Sequence, residues 1–251
     1  MYEERHRTVS SMNIVVLAGG LSPERDVSLS TGAKVVNALR GKGHHAILID
    51  LFFGVESLPD PISAAFLAAG EQAAYAVPQQ APDLEAVRAK RKSGFSGAIG
   101  NGVIELCRAA DVTYLALHGD CGENGTLQAL FDLSDVRYTG SPSFGCALAM
   151  DKSVSKGLLD AAGVRTPRGV LYRRNDAVRP DSLPLPCVVK PCCGGSSIGI
   201  SIAHTQAELE KALEEAFFYE DAILVEEYIS GKELSAGVLG GEALPLIEII
   251  P

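Results

Sequence analysis

No stretch of the 251-residue chain approaches the roughly 20 apolar residues that a helix needs to cross a bilayer. The first eleven residues, MYEERHRTVSS, lack the apolar centre of a secretory signal peptide. They read as a polar tail over residues 1–12, with Met12 as an alternative start directly before the first strand-like run. A basic stripe is also missing, and the net charge is -9, which argues against nucleic acid and anionic membrane as partners. The six cysteines, at 107, 121, 146, 187, 192 and 193, fit neither a zinc ribbon nor a CxxC redox pair. They are expected as reduced thiols in a cytoplasmic protein. No GK[ST] leads into a helix and no GxGxxG follows a strand, which removes a Walker A loop and makes a Rossmann dinucleotide site a poor reading. There is no internal repeat.

What is present is 47% hydrophobic residues, ample for a buried core, over a length that suits two domains. NIVVLAGG, residues 13–20, reads as a buried parallel strand entering a glycine turn. Residues 26–40 carry Val27, Val35, Val36 and Leu39 at helical spacing and stop at Gly41. HAILID, 45–50, is a second strand. This βαβ opening predicts an α/β chain with a parallel, doubly wound first domain, placed at 13–115. Residues 52–98, rich in Ala, Pro and Gly with a basic cluster at Lys90, Arg91 and Lys92, read as an insertion holding one helix near 83–92. Helices are expected at 103–109, 125–133 and 152–162, and strands at 112–119 and 136–139. Beyond Pro167 the texture turns strand-rich: 169–172, 187–190, 198–202, a helix at 206–218, a strand at 223–229, then a hairpin of 234–239 and 244–250 around Gly240-Gly241.

Four segments carry chemistry. In VVKPCCGGSSIGIS, 188–201, Lys190 ends a strand and a Gly-Ser loop follows. Glycines let backbone N–H groups close around phosphate, serine hydroxyls add donors, and the lysine adds charge. Taken alone, the segment is equally a β-hairpin turn. LVEEYISGKE, 224–233, ends an apolar strand in carboxylates that suit adenine and ribose edges or simply face solvent. In AGGLSPERDVS, 18–28, Glu24 near a helix start can bind an ammonium or merely complement the helix dipole. In ALHGDCGENG, 116–125, His118 lies at the C-terminal end of a strand, where open α/β sheets bind ligands. A structural histidine fits as well, and the spacing suits no metal site by itself.

These four segments, in this order, resemble the D-alanine–D-alanine ligase family of ATP-grasp enzymes. GGLSPERDVSLSTG resembles that family's first motif, and LHGDCGENGTLQALFDL with YTGSPSFGCALAMDK its second. VVKPCCGGSSIG is similar to its phosphate loop, ILVEEYISGKEL to its adenine hinge, and LPLIEIIP to the strand entering its omega loop. The resemblance implies a pre-ATP-grasp first domain, then an α+β ATP-grasp domain over 116–251 that is incomplete at its C-terminus. It places the phosphate loop at 190–199 and the adenine hinge at 224–233. It implies that Glu24 holds the ammonium of the first D-alanine, with Ser196 as its hydrogen-bonding partner and His118 beside the substrate. Lys152 and Lys190, with Ser196 and Ser197, would contact ATP phosphates. Glu226, with backbone groups of Glu227 and Ile229, would contact adenine, and Glu233 the ribose. The family often has lysine at the position of Glu227 and glutamate at that of Gly194.

The implied reaction is phosphoryl transfer from ATP to a D-alanine carboxylate, then attack by the amine of a second D-alanine, in peptidoglycan precursor synthesis. Mg2+ (or Mn2+) is implied as cofactor, with its ligands expected in a C-terminal part beyond Pro251, so that these 251 residues are expected to be an incomplete and inactive portion. A homodimer binding only small molecules is expected. The competing readings are a non-catalytic ATP-grasp remnant that binds a nucleotide or a partner, and a ligase taking D-lactate or D-serine second.

Overall fold

The computed structural model describes residues 10–68, 70, 72–91, 97–174, 183–195 and 199–250. Packing divides them into two units, residues 10–155 with 194–195, and residues 156–193 with 199–250.

The first unit opens with β1 (Asn13–Ala18), α1 (Arg25–Gly41) and β2 (His45–Asp50), the βαβ expected from the sequence. In the insertion, α2 (Ala64–Leu67) is followed by α3 (Leu84–Ala89), whose Asp83 cap accepts from Ala86 N. Then come α4 (Val103–Ala109), β3 (Val112–Leu115), a 3-10 turn (Asp120–Gly122), α5 (Thr126–Leu133), α6 (Ser143–Met150) and α7 (Lys152–Ala161), which runs into the second unit. The strands form a parallel sheet in the order β2-β1-β3, with Val15 opposite both Ile47 and Thr113. Central β1 is buried from Ile14 to Ala18, as its unbroken apolar run requires. Gly32 lets α1 approach the sheet closely, since a Cβ there would lie 2.7 Å from that of Ala18.

Leu117, Leu127, Phe131 and Val136 pack into the same core as Val15, Leu17 and Phe66. Residues 116–155 therefore belong with the first sheet, whereas the sequence suggested a division at 115/116. β3 stops at Leu115, short of the expected 119, and the expected strand at 136–139 is a single bridge between Thr113 and Tyr138. Lys92 and Ile198 lie outside the described residues.

The second unit contains β4 (Gly169–Arg173), β5 (Cys187–Pro191), β6 (Ser201–Ala203), α8 (Gln206–Tyr219) and β7 (Ala222–Glu227), forming an antiparallel sheet in the order β4-β7-β5-β6. α8 buries Leu209, Ala212, Leu213 and Ala216, one helical stripe, against Tyr172, Cys187, Val189, Ile223 and Val225. Its start is fixed by Thr205, which accepts from Glu208 N at 3.2 Å. The expected final hairpin exists in two pieces, β8 (Glu233–Ser235) with β11 (Ile247–Ile249), and β9 (Val238–Leu239) with β10 (Glu242–Ala243). Gly240 and Gly241 both have positive φ, 60° and 85°, as a two-residue primed turn demands. All four of these strands are exposed.

Candidate active site

The end of β1 is held by a dense set of polar contacts. Gly19 and Gly20 turn the chain at φ 76° and 81°, and a Cβ on Gly19 would lie 2.5 Å from the Asp50 carboxylate. Ser28 Oγ accepts from Gly19 N and donates to Ala116 O, both at 2.8 Å, tying turn, helix and β3 exit together. Arg25, the first residue of α1, donates to Gly20 O at 2.6 Å and forms an ion pair with Asp50. Asp50 Oδ1 also accepts from Phe52 N and Phe53 N.

This frame brings Glu24 and His118 together. Ser22 Oγ donates to His118 O at 2.7 Å and accepts from Glu24 N at 3.2 Å. His118 Nε2 is 3.2 Å from Thr31 Oγ1 on α1. Gly119 has φ 69°, and a Cβ there would lie 2.7 Å from Glu24 Oε2, so the carboxylate rests directly on the backbone that follows His118. A carboxylate, a histidine and half-buried backbone at the C-terminal edge of a parallel sheet can bind a small zwitterion. Ser22, Arg25, Thr31 and Asp50 were not singled out by sequence. Ser22, Arg25 and Thr31 lie within the first motif itself, whereas Asp50 becomes relevant only through the fold.

Lys152 begins α7, and its Nζ donates to Gly194 O at 2.8 Å. Gly194 N is 3.4 Å from Met150 Sδ. These residues, with Leu117 and Glu123, line a cavity of about 640 Å³. A larger cavity of about 1110 Å³, lined by Phe53–Glu56, Lys90, Arg91 and Gly97–Gly102 among others, touches none of the candidate residues. Burial holds the Asp151 carboxyl back from ionising, but its bonds from the Ser153 hydroxyl and the Val154 and Ser153 amides outweigh this and depress its pKa. That carboxylate caps the α7 start beside Lys152.

In the second unit, Lys190 near the end of β5 and Glu226 near the end of β7 meet in an ion pair. Glu226 is buried and also pairs with Lys156 at 2.7 Å. Glu227 takes a different course. Its N–H donates to Arg168 O at 2.9 Å, and its carboxylate accepts from Arg168 N and Nε at 2.9 and 3.2 Å. Those bonds, the backbone one foremost, lower its pKa. Its N–H is thus already engaged, and Ile229 lies beyond β7, 63% exposed. Glu233 sits on exposed β8, opposite Ile249. Ser196 and Ser197 lie outside the described residues. Among the described residues no group of three or more His, Cys, Asp or Glu stands together to hold a metal.

The family model for the D-ala D-ala ligase N-terminus matches residues 13–141, and that for the D-ala D-ala ligase C-terminus matches residues 169–251. The chain belongs to the D-alanine–D-alanine ligase family. It is 43% identical over 242 residues to a D-alanine–D-alanine ligase of Pediococcus pentosaceus, covering 95% of this chain and 69% of that protein. A second such ligase, from Lacticaseibacillus casei, is 40% identical over 240 residues, covering 95% and 67%. Among solved structures, the Bacillus anthracis D-alanine–D-alanine ligase complexed with ATP aligns with a TM-score of 0.69 at 26% identity, over 95% of this chain and 67% of that one. The Coxiella burnetii ligase aligns with a TM-score of 0.67 at 26% identity, over 96% and 71%. The chain thus spans about two-thirds of the length of the ligases it matches, and its fold is the corresponding part of an ATP-grasp ligase.

Proposed function

We propose that this chain supplies the amino-acid-binding and much of the nucleotide-binding surface of an ATP-dependent D-alanine–D-alanine ligase serving peptidoglycan precursor synthesis in the cytoplasm. The observation that carries this reading is the position of Glu24, whose carboxylate rests on the Gly119 backbone in a chain that matches both halves of the family. In this reading Glu24 binds the ammonium of the first D-alanine, and His118, steadied by Thr31 and Ser22, lines the pocket. Ser196 partners Glu24. Lys152, Lys190, Ser196 and Ser197 meet the ATP phosphates, Glu226, Glu227 and Ile229 the adenine, and Glu233 the ribose.

The carboxylate of D-alanine is a poor electrophile. Its oxygen attacks the γ-phosphorus of ATP, ADP leaves, and the resulting acyl phosphate carries a good leaving group. The amine of a second D-alanine attacks the acyl carbon, sheds a proton, and phosphate departs. These residues contribute positioning and neutralisation of charge. Magnesium would supply further neutralisation of phosphate charge, held by residues proposed to lie in the C-terminal third of a full-length ligase. The ligase is proposed to act as a homodimer. A coupled ADP-release assay with D-alanine, run on a full-length ligase that carries this chain, tests the reading. D-alanine-dependent ADP release matched by D-alanyl-D-alanine supports it, and nucleotide binding with no response to D-alanine points to a non-catalytic module.

A further inference from the structure

Glu226 is the most enclosed ionisable group of the nucleotide-binding region, its side chain only 7% exposed. It has two lysines. Oε1 is 2.7 Å from Lys156 Nζ, and Oε2 pairs with Lys190 Nζ. The two lysines differ in their other bonds. Lys156 Nζ is also held by Thr166 Oγ1 at 3.0 Å and by Pro167 O, and its side chain is 16% exposed. Lys190 extends from a strand that opens into the glycine loop and is the more exposed, at 22%.

This asymmetry bears on how Lys190 can serve a nucleotide. A buried carboxylate deprived of its only counter-charge is heavily penalised. Were Lys190 alone on Glu226, every phosphate that drew it away would strand Glu226, and that penalty would be subtracted from binding. Lys156 approaches the other oxygen and is anchored by two further acceptors, so it stays when Lys190 leaves. We infer that Lys156 is the standing counter-ion of Glu226, a positioning residue that keeps this carboxylate paired and oriented while releasing Lys190 to the polyphosphate. The inference rests on the proposal that Lys190 meets phosphate. Lys156 lies one helical turn after Lys152 on α7, so a single helix carries both a proposed phosphate lysine and the residue that frees the other.

Two measurements on the chain test this. Without ligand, Lys156→Met and Lys190→Met each lower the thermal midpoint by less than about 3 °C, because one lysine remains, whereas the double variant loses more than about 8 °C. Adding Glu226→Gln to the double variant recovers most of that loss. Additive losses, or a single variant as damaged as the double, overturn the inference. With ligand, calorimetric titration of ATP and adenosine isolates the phosphate contribution. Lys190→Met cuts the preference for ATP over adenosine about tenfold or more, and Lys156→Met cuts it about fivefold or more with adenosine affinity level. Lys156→Arg restores the preference. A preference unchanged in Lys156→Met but reduced in Lys190→Met overturns the standing counter-ion. A preference unchanged in both overturns the phosphate role of Lys190, and the inference falls with it.

Discussion

Replacing Arg25 with methionine probes the frame on which Glu24 is mounted. The Arg25 side chain is 7% exposed and that of Asp50 is 16% exposed. The guanidinium bonds Gly20 O at 2.6 Å, reaches Asp50 Oδ1 at 3.3 Å, and lies 5.0 Å from the Phe53 ring centroid. Methionine fills similar volume but leaves the carboxylate without its cation and Gly20 O without this donor. Breaking one side of a buried ion pair typically costs about 3–5 kcal/mol. Asp50 keeps the amides of Phe52 and Phe53 as donors, so the lower end, about 3 kcal/mol, applies. With a urea slope of about 2–3 kcal/mol/M, the midpoint of the first unit should fall by roughly 1–1.5 M. Arg25→Lys should recover part of the loss, since it keeps the charge but not the fork of donors. The exposed pair of Arg88 with Glu85, 3.5 Å apart, is the control, and Arg88→Ala should cost less than about 0.5 kcal/mol. An Arg25→Met midpoint within about 0.3 M of the parent would refute the reasoning, given the slope above.

Lys190→Ala should weaken nucleotide binding by about 1–3 kcal/mol with little change in the ligand-free midpoint, read by titration calorimetry and thermal unfolding. In a full-length ligase carrying this chain, Glu24→Gln should raise the KM for the first D-alanine while the KM for ATP stays level; equal losses would indicate a misfolded first unit. Cys193 is exposed, whereas Cys107, Cys187 and Cys192 are buried, and burial pushes Cys107 up to about 11. Maleimide should therefore label Cys193 before those three, by mass spectrometry of peptides, and nucleotide should slow that labelling.

Much of this architecture was legible because the local signals were strong. The run NIVVLA and the Gly41 stop define β1 and α1, and Gly240-Gly241 marks the last turn. α6 was not legible, because SFGCALAM is apolar on most sides and carries an internal glycine, leaving no amphipathic stripe. Helix signals also missed α2, a single turn whose Phe66 is recruited by the core. No change in texture marks residue 115, since the strand-rich stretch begins only beyond Pro167, and the burial of Leu127 and Phe131 with the first sheet is a tertiary fact. At the site, Glu24 and His118 stood in recognisable motifs, yet their meeting depends on Ser22, 96 residues from His118. Lys156 sits in an ordinary amphipathic helix, and nothing local signals its partner on β7.

The most direct test joins residues 1–251 to the C-terminal third of the Pediococcus pentosaceus ligase and measures magnesium-dependent ADP release and dipeptide in the presence of D-alanine, beside the same assay on residues 1–251 alone. The account predicts ADP and D-alanyl-D-alanine in equal amounts from the joined protein, loss of both with Lys190→Ala, and no dipeptide from residues 1–251. A folded joined protein that binds ATP yet forms no dipeptide, or an undiminished rate with Lys190→Ala, would contradict it.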